Sequence, residues 1–259
     1  MIKRRKARLP LLRARQLLAG VPRVDLHLHT QYSDGHCEVS EVLELATAKN
    51  LDAIAFTDHA RATSTYIPQY IEEIETLALR YSDLTVLLGV EVKAVNLTGD
   101  VDFPELANDR LDFVIGVIHQ FPLDPKKPLF GSSRDLAASR AWTLEVEASI
   151  NMMESGAVDV LGHPTRTFTE RYKQPFPYEG LKELVRCASR CGVAVELNAR
   201  SGNLRELLEL CLASDCRISI GSDAHEPHEI GAIVRVLEEL LGAKGGPVKS
   251  VAGYSESTA

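Results

Sequence analysis

The segment Val24–Gly35, VDLHLHTQYSDG, places His27 and His29 two residues apart, with Asp34 five residues further on. Side chains at i and i+2 of an extended strand point the same way, so the two imidazoles can reach one point. Imidazole and carboxylate are the ligands that divalent transition metals take. Two buried histidines without a partner would be costly on an apolar strand. The spacing therefore predicts a metal site whose other ligands come from elsewhere in the chain.

The remaining candidates follow short apolar runs. Asp58 and His59 close FTDH, Glu91 sits in LLGVEV, and His119 ends FVIGVIH. His163 follows VLG in GHP, and Asp223 and His225 lie in ISIGSDAH. Only His36 and His228 depart from this placement. Any one of these residues alone reads as a satisfied core histidine, a turn residue or a helix cap. Together they mark one end of a set of strands. Arg166 after GHPT, Arg200 in ELNAR and Arg61 after TDHA fall at the same end and offer guanidinium forks for an anion.

The elements that must position them alternate. Strands are expected at 24–29, 53–57, 84–92, 111–119, 158–162, 193–198 and 217–221. Helical spacing appears at Val42, Leu43 and Ala46, over 67–80, over 134–155, at Leu181, Leu184, Val185 and Ala188, at Leu204, Leu207, Leu208, Cys211 and Leu212, and over 230–241. Strands that read as continuous apolar runs and alternate with helices predict a parallel α/β fold, either a closed barrel or an open sheet. In such folds the C-terminal strand ends converge on one face, where active sites lie. The segment Gln120–Ser133, with three prolines, is expected either to wall the pocket or to be a plain connector.

Composition limits the alternatives. A chain of 259 residues with 45% hydrophobic content suits one large domain with a full core. We divide it into a basic segment at 1–20, a domain at 21–242 and a loose tail at 243–259. No apolar run reaches membrane-spanning length and the start has no signal core, so a cytoplasmic location is expected. The five cysteines contain no CxxC pair, which argues against a disulfide scaffold or zinc ribbon. Net charge is −7, yet residues 1–20 carry seven basic and no acidic residues. The acidic body is a poor duplex-binding surface. The basic segment is expected to be a solvated arm, with a nucleic-acid contact as the alternative.

HLH, SDG, TDH, the Glu of the third strand, the His after the fourth, GHP and SDAH together resemble the polymerase and histidinol phosphatase (PHP) family over roughly Val21 to Leu241. In detail GHPTR, VAVELNAR and ISIGSDAH look most like the PHP module of bacterial family X DNA polymerases, here without a polymerase half. The resemblance implies a single-domain α/β fold, a distorted (β/α)7 barrel of TIM-like kind, and two to three divalent metal ions, zinc, manganese or iron. It implies that His27, His29, Glu91 and Asp223 hold one ion. Glu91 would bridge to a second, completed by His119 and His163, and Asp34, His59 and His225 would hold a third. Asp58 would support His59 or its loop. Asp223, Glu91, His225, Arg200 and Arg166 are the catalytic candidates.

Three divalent ions would outweigh the carboxylates of Asp34, Glu91 and Asp223, leaving a cationic site inside an acidic protein, suited to an anionic substrate. The reading is a phosphoesterase that uses metal-activated hydroxide on a phosphomonoester of a small metabolite, of histidinol phosphate or nucleotide type. A 3′-end nuclease acting on single strands is the alternative. An amidohydrolase is disfavoured because the strand that would carry a bridging lysine ends in His119. A catalytically silent scaffold is disfavoured because all nine expected ligand positions are filled. Sequence does not indicate an oligomeric state.

Overall fold

The structure, a computed structural model, describes residues 11–104, 110–131 and 136–242. In chain order the elements are β1 Leu12–Arg13, a 3-10 turn Ala14–Ala19, β2 Val24–Leu28, α1 Val39–Ala48, β3 Ala53–Phe56, α2 Ile67–Ala78, β4 Thr85–Lys93 and β5 Phe113–Val117. A hairpin follows, β6 Phe121–Pro122 and β7 Phe130–Gly131, then α3 Ala138–Glu154, β8 Val160–Leu161, α4 Arg166–Tyr172, α5 Tyr178–Cys191, β9 Ala194–Asn198, α6 Leu204–Ser214, β10 Arg217–Gly221 and α7 Ala232–Gly242.

The seven expected strands are all present and parallel, in the sheet order β10-β9-β8-β5-β4-β3-β2. Every residue of β2, β3, β5, β8 and β9 is buried, because helices cover the outer face and side chains fill the inner one. The helical stripes do the covering: Val42, Leu43 and Ala46 on α1, Leu181, Leu184, Val185 and Ala188 on α5, Leu207, Leu208 and Cys211 on α6. The sheet curls into a distorted TIM-like barrel of a single α/β domain, with the C-terminal strand ends on one face.

The distortion lies at the seam between β2 and β10, which are bridged only at one end, from Leu28 at the close of β2 to Ala224 past β10. The buried Asp25 side chain stitches the gap, accepting from Ser222 N at 2.8 Å and Gly231 N at 2.7 Å. At the other end of the seam β1 runs antiparallel to β10, pairing Leu12 with Ile218.

This corrects the expectation of a solvated basic arm for residues 11–20. Ala14 and Leu17 are buried, Ala14 N donates to Cys216 O, and the Arg15 guanidinium donates to the α6 carbonyls of Leu212 and Ala213, both at 3.1 Å. An apolar pair, Ala14 and Leu17, decided the outcome over the charges around it. The rest of that segment, and the tail at 243–259, lie outside the described residues.

Two further differences bear on the site. A short helix, α4, follows GHPT where no element was expected. The fourth strand stops at Val117, so His119 stands on the loop beyond it.

Candidate metal centre

His27 on β2 and His29 just past its end are both buried, with their rings side by side. Their ring nitrogens face one another, Nε2 to Nε2, at 3.1 Å. Asp223 Oδ1 lies 3.1 Å from His29 Nε2 and 3.6 Å from His27 Nε2. Glu91, in the middle of the group, sends Oε1 to His163 Nε2 at 2.9 Å and to His119 Nε2 at 3.5 Å, while Oε2 meets His59 Nδ1. Asp34 is the outermost, 3.3 Å from both His59 Nε2 and His225 Nε2. The fold thus brings all nine expected ligand candidates together. Three sets have ligand atoms within 4.8 Å of one another: His27, His29 and Asp223; His59, Glu91 and His119; and His29, Asp34, His59 and His225. This grouping shares His29 and His59 between sets where the expected partition gave each to one.

Local backbone puts these groups in place. His163, Thr165 and Asp223 have φ of 24°, 75° and 53°, a region that residues with a Cβ adopt at a cost, and such strain concentrates at functional sites. Gly35 lets the SDG turn fold back on β2, because a Cβ there would collide with the His29 carbonyl. Asp58 holds that turn, accepting from Thr30 N at 2.8 Å, Thr30 Oγ1 at 3.0 Å and Ser33 Oγ at 2.7 Å. Its support therefore goes to the loop after β2, where His59 or its own loop was expected. The reason is register: β2 and β3 are adjacent and parallel, so their terminal loops touch.

The donor set fits divalent cations. Glu91 is buried, and both its oxygens face imidazole nitrogens, Oε1 those of His163 and His119 and Oε2 that of His59. His27 donates from Nδ1 to Glu196 at 2.8 Å, which leaves its Nε2 lone pair bare towards His29, Glu91 and Asp223. Buried lone pairs that converge without protons between them are the signature of a cation site. Burial alone would raise the Glu91 carboxyl, but the imidazoles of His119, His163 and His27 hold it well below its usual range. Asp223 is likewise pulled down against its burial by His27, His29 and His163.

A cavity of about 290 Å³ opens over the group, lined by Asp34, His59, His119, His163, Asp223 and His225 on one side and by α4 on the other. Arg166 reaches in from α4 and pairs with Asp223 Oδ2 and with Glu170 Oε1, the latter at 2.7 Å. Arg200 Nη1 lies 3.3 Å from the Asp223 carbonyl. Arg61 does not line this cavity; its backbone N–H bonds Ser64 Oγ in an exposed turn. The 120–131 loop does not line it either, but Phe121 lies under the guanidinium of Arg171, which does, and which donates to the His119 carbonyl at 2.6 Å.

Sequence reasoning missed three groups. Arg171 belongs to the unexpected α4. Glu145 of α3 is buried beneath that helix and accepts from Phe168 N at 2.9 Å. Glu196 is fully buried behind His27. The available signal for Glu196 was a lone acid inside the apolar run VAVELN, two residues from Asn198.

The PHP domain family matches residues 25–200. A protein of Acetivibrio thermocellus named a probable phosphatase is 30% identical over 231 residues, covering 84% of this chain and 85% of its own length. A Vibrio parahaemolyticus protein, also named a probable phosphatase, is 28% identical over 229 residues, covering 83% and 82%. Among solved structures, a histidinol phosphate phosphatase from Lactococcus lactis, determined with zinc, L-histidinol and phosphate, superimposes with a TM-score of 0.60 at 17% identity, covering 86% of this chain and 93% of its own. The fold and site thus define a hydrolase of phosphoric esters. The chain belongs to the PHP family.

Proposed function

We propose that this chain is a metal-dependent phosphomonoesterase acting on a small phosphorylated metabolite, with three neighbouring subsites for divalent ions. His27, His29, Asp223 and Glu91 would hold the first ion, Glu91, His119 and His163 the second, and Asp34, His59 and His225 the third. The observation that carries the reading is Glu91: a buried carboxylate with imidazoles on both oxygens, beneath a cavity walled by Arg166 and Arg171. Bound there, the cations would acidify water for attack and neutralise phosphoryl charge.

The chain's own residues supply the rest. Arg166 on the cavity wall would receive phosphoryl oxygens as a forked donor, and Arg200, which does not line the cavity but reaches the Asp223 carbonyl, would assist it. Asp223 anchors both arginines, one through its carboxylate and one through its carbonyl. His225, whose Nδ1 lies 2.9 Å from the Asp223 carbonyl, is oriented by that contact at the cavity wall. Its Nε2 turns towards Asp34 at 3.3 Å, where it would meet the third ion. A cavity of about 290 Å³ suits a small monoester better than a polymer. Histidinol phosphate and nucleotide monophosphates are the substrate types proposed, and zinc, manganese and iron the ions that the N/O donor set suits.

The two described basic residues of the N-terminal segment are engaged within the fold and do not favour the nuclease alternative. Arg13 lies 3.5 Å from Asp215, and Arg15 caps α6. The test is phosphate release after manganese or zinc loading from histidinol phosphate, 5′- and 3′-nucleotides, 3′,5′-bisphosphates and a short single-stranded oligonucleotide. Release from a monoester with the oligonucleotide intact is expected. Stepwise loss of nucleotides from the 3′ end, with monoesters untouched, would replace this reading with the nuclease.

A further inference from the structure

Glu196 is a fully buried carboxylate on β9 with no Lys or Arg partner among the described residues. Its Oε1 accepts from His27 Nδ1 at 2.8 Å and from Asn198 Nδ2 at 3.1 Å. Its Oε2 accepts from the backbone N–H of His163 at 2.5 Å. Gly221 makes room for it, since a Cβ there would collide with Glu196 Oε1 and with the His27 side chain. A desolvated carboxylate is expensive, so an arrangement that spends it on two histidines calls for a reason.

We propose that Glu196 is a positioning residue that couples the two inner metal subsites, gripping the His27 ring with one oxygen and the His163 backbone with the other. The inference rests on the metal-centre reading above and adds an element to it. Accepting a proton at Nδ1 fixes the His27 tautomer, so that Nε2 is presented bare to His29, Asp223 and Glu91. The same carboxylate holds the peptide of His163, whose φ of 24° needs outside support, and so aims Nε2 at Glu91. The grip also extends outward: Asn198 Oδ1 accepts from Arg200 N at 2.9 Å. Asp34, His59 and His225 make no contact with Glu196.

Glu196→Gln separates this role from mere packing. The amide has the right shape but one acceptor oxygen. If that oxygen stays on His27, the NH2 meets the His163 N–H; if it flips, the NH2 faces His27 Nδ1 and drives the proton to Nε2. One grip fails in either orientation.

The experiment is equilibrium dialysis of the full chain against zinc or manganese alone, with the cobalt(II) d–d spectrum as a second readout. In E196Q one inner site is expected to weaken by roughly 10–100-fold, and in Glu196→Ala, which removes both oxygens, both inner sites weaken together, while the outer site keeps its affinity in each. A cobalt spectrum altered for the inner sites would support the same conclusion. Wild-type affinities in both variants, or weakening of one inner site alone in E196A, would overturn the coupling while leaving the metal centre standing. A wild-type chain that takes up no metal would overturn both. Should E196Q fail to fold, nitrogen-15 NMR of the zinc-loaded wild type decides: a proton on His27 Nδ1 supports the proposal, and one on Nε2 overturns it.

Discussion

Arg166 and His29 share one carboxylate: Asp223 offers Oδ2 to the guanidinium and holds Oδ1 3.1 Å from His29 Nε2. The anion-binding arm and the metal cluster are therefore joined by a single side chain. Arg166→Ala is expected to lower kcat/KM by roughly 100-fold, the scale of a lost charge-stabilising donor. The bound metal content should stay at the wild-type level. Parallel steady-state kinetics and metal analysis check this. A variant that loses metal as well would show that Arg166 works by holding Asp223 in place.

Asp58 has no place at the cavity, yet three donors of the Thr30–Ser33 turn depend on it. Asp58→Ala would leave buried donors unpaired, at a cost of about 1–3 kcal/mol each before relaxation. The expected result is a lower urea midpoint and weaker metal binding at the Asp34 subsite, because Asp34 rides on that turn. Denaturation and dialysis of the same preparation test both halves.

Burial pushes the Glu145 carboxyl up to about 8, against the lowering effect of the Phe168 N–H bond and of the Arg171 charge. In the unfolded chain it returns to its ordinary 4.5. Between those values the folded state holds the proton that the unfolded state has lost. Stability from this group is thus complete below pH 4.5, falls as pH rises, and is gone above about 8. The slope is at most about 1.4 kcal/mol per pH unit. Glu145→Gln should be stabilised relative to wild type at pH 8 and should lose that advantage towards pH 5. Urea unfolding at the two pH values measures the difference, and an unchanging gap would contradict the assignment.

Leu17 is 2% exposed within the 3-10 turn of the basic segment, which packs against α6. Leu17→Ala is expected to cost about 2–5 kcal/mol, the range for a buried leucine. Thermal unfolding of the full chain gives the answer; an unchanged Tm would mean the segment docks without contributing.

Much of the fold was legible because it rests on patterns that sequence displays. A parallel strand covered on both sides must be continuously apolar, and an amphipathic helix must repeat at three and four, as Leu181, Leu184, Val185 and Ala188 do. The nine ligand candidates were legible for a related reason: polar residues at the ends of apolar runs have few structural excuses. The groups that were not legible act through space. Glu196 and Glu145 are explained only by partners far along the chain, His27 and Phe168. Asp58 was assigned to its sequence neighbour His59 or its loop, whereas parallel pairing gives it to the loop of the adjacent strand β2. Leu12 and Leu17 lay among so many charges that the local average concealed two contacts, one to β10 and one to the core.

The central claim is that Glu91 and its histidines work through bound cations. The most direct measurement is phosphate release from a responsive monoester before chelation, after exhaustive chelation, and on stepwise return of manganese or zinc. His29→Ala and Asp223→Ala would run alongside. The account predicts loss of turnover on chelation, recovery that saturates at two to three equivalents of metal, and no recovery in either folded variant. Undiminished turnover by the metal-free chain, or full activity in both variants, would contradict it.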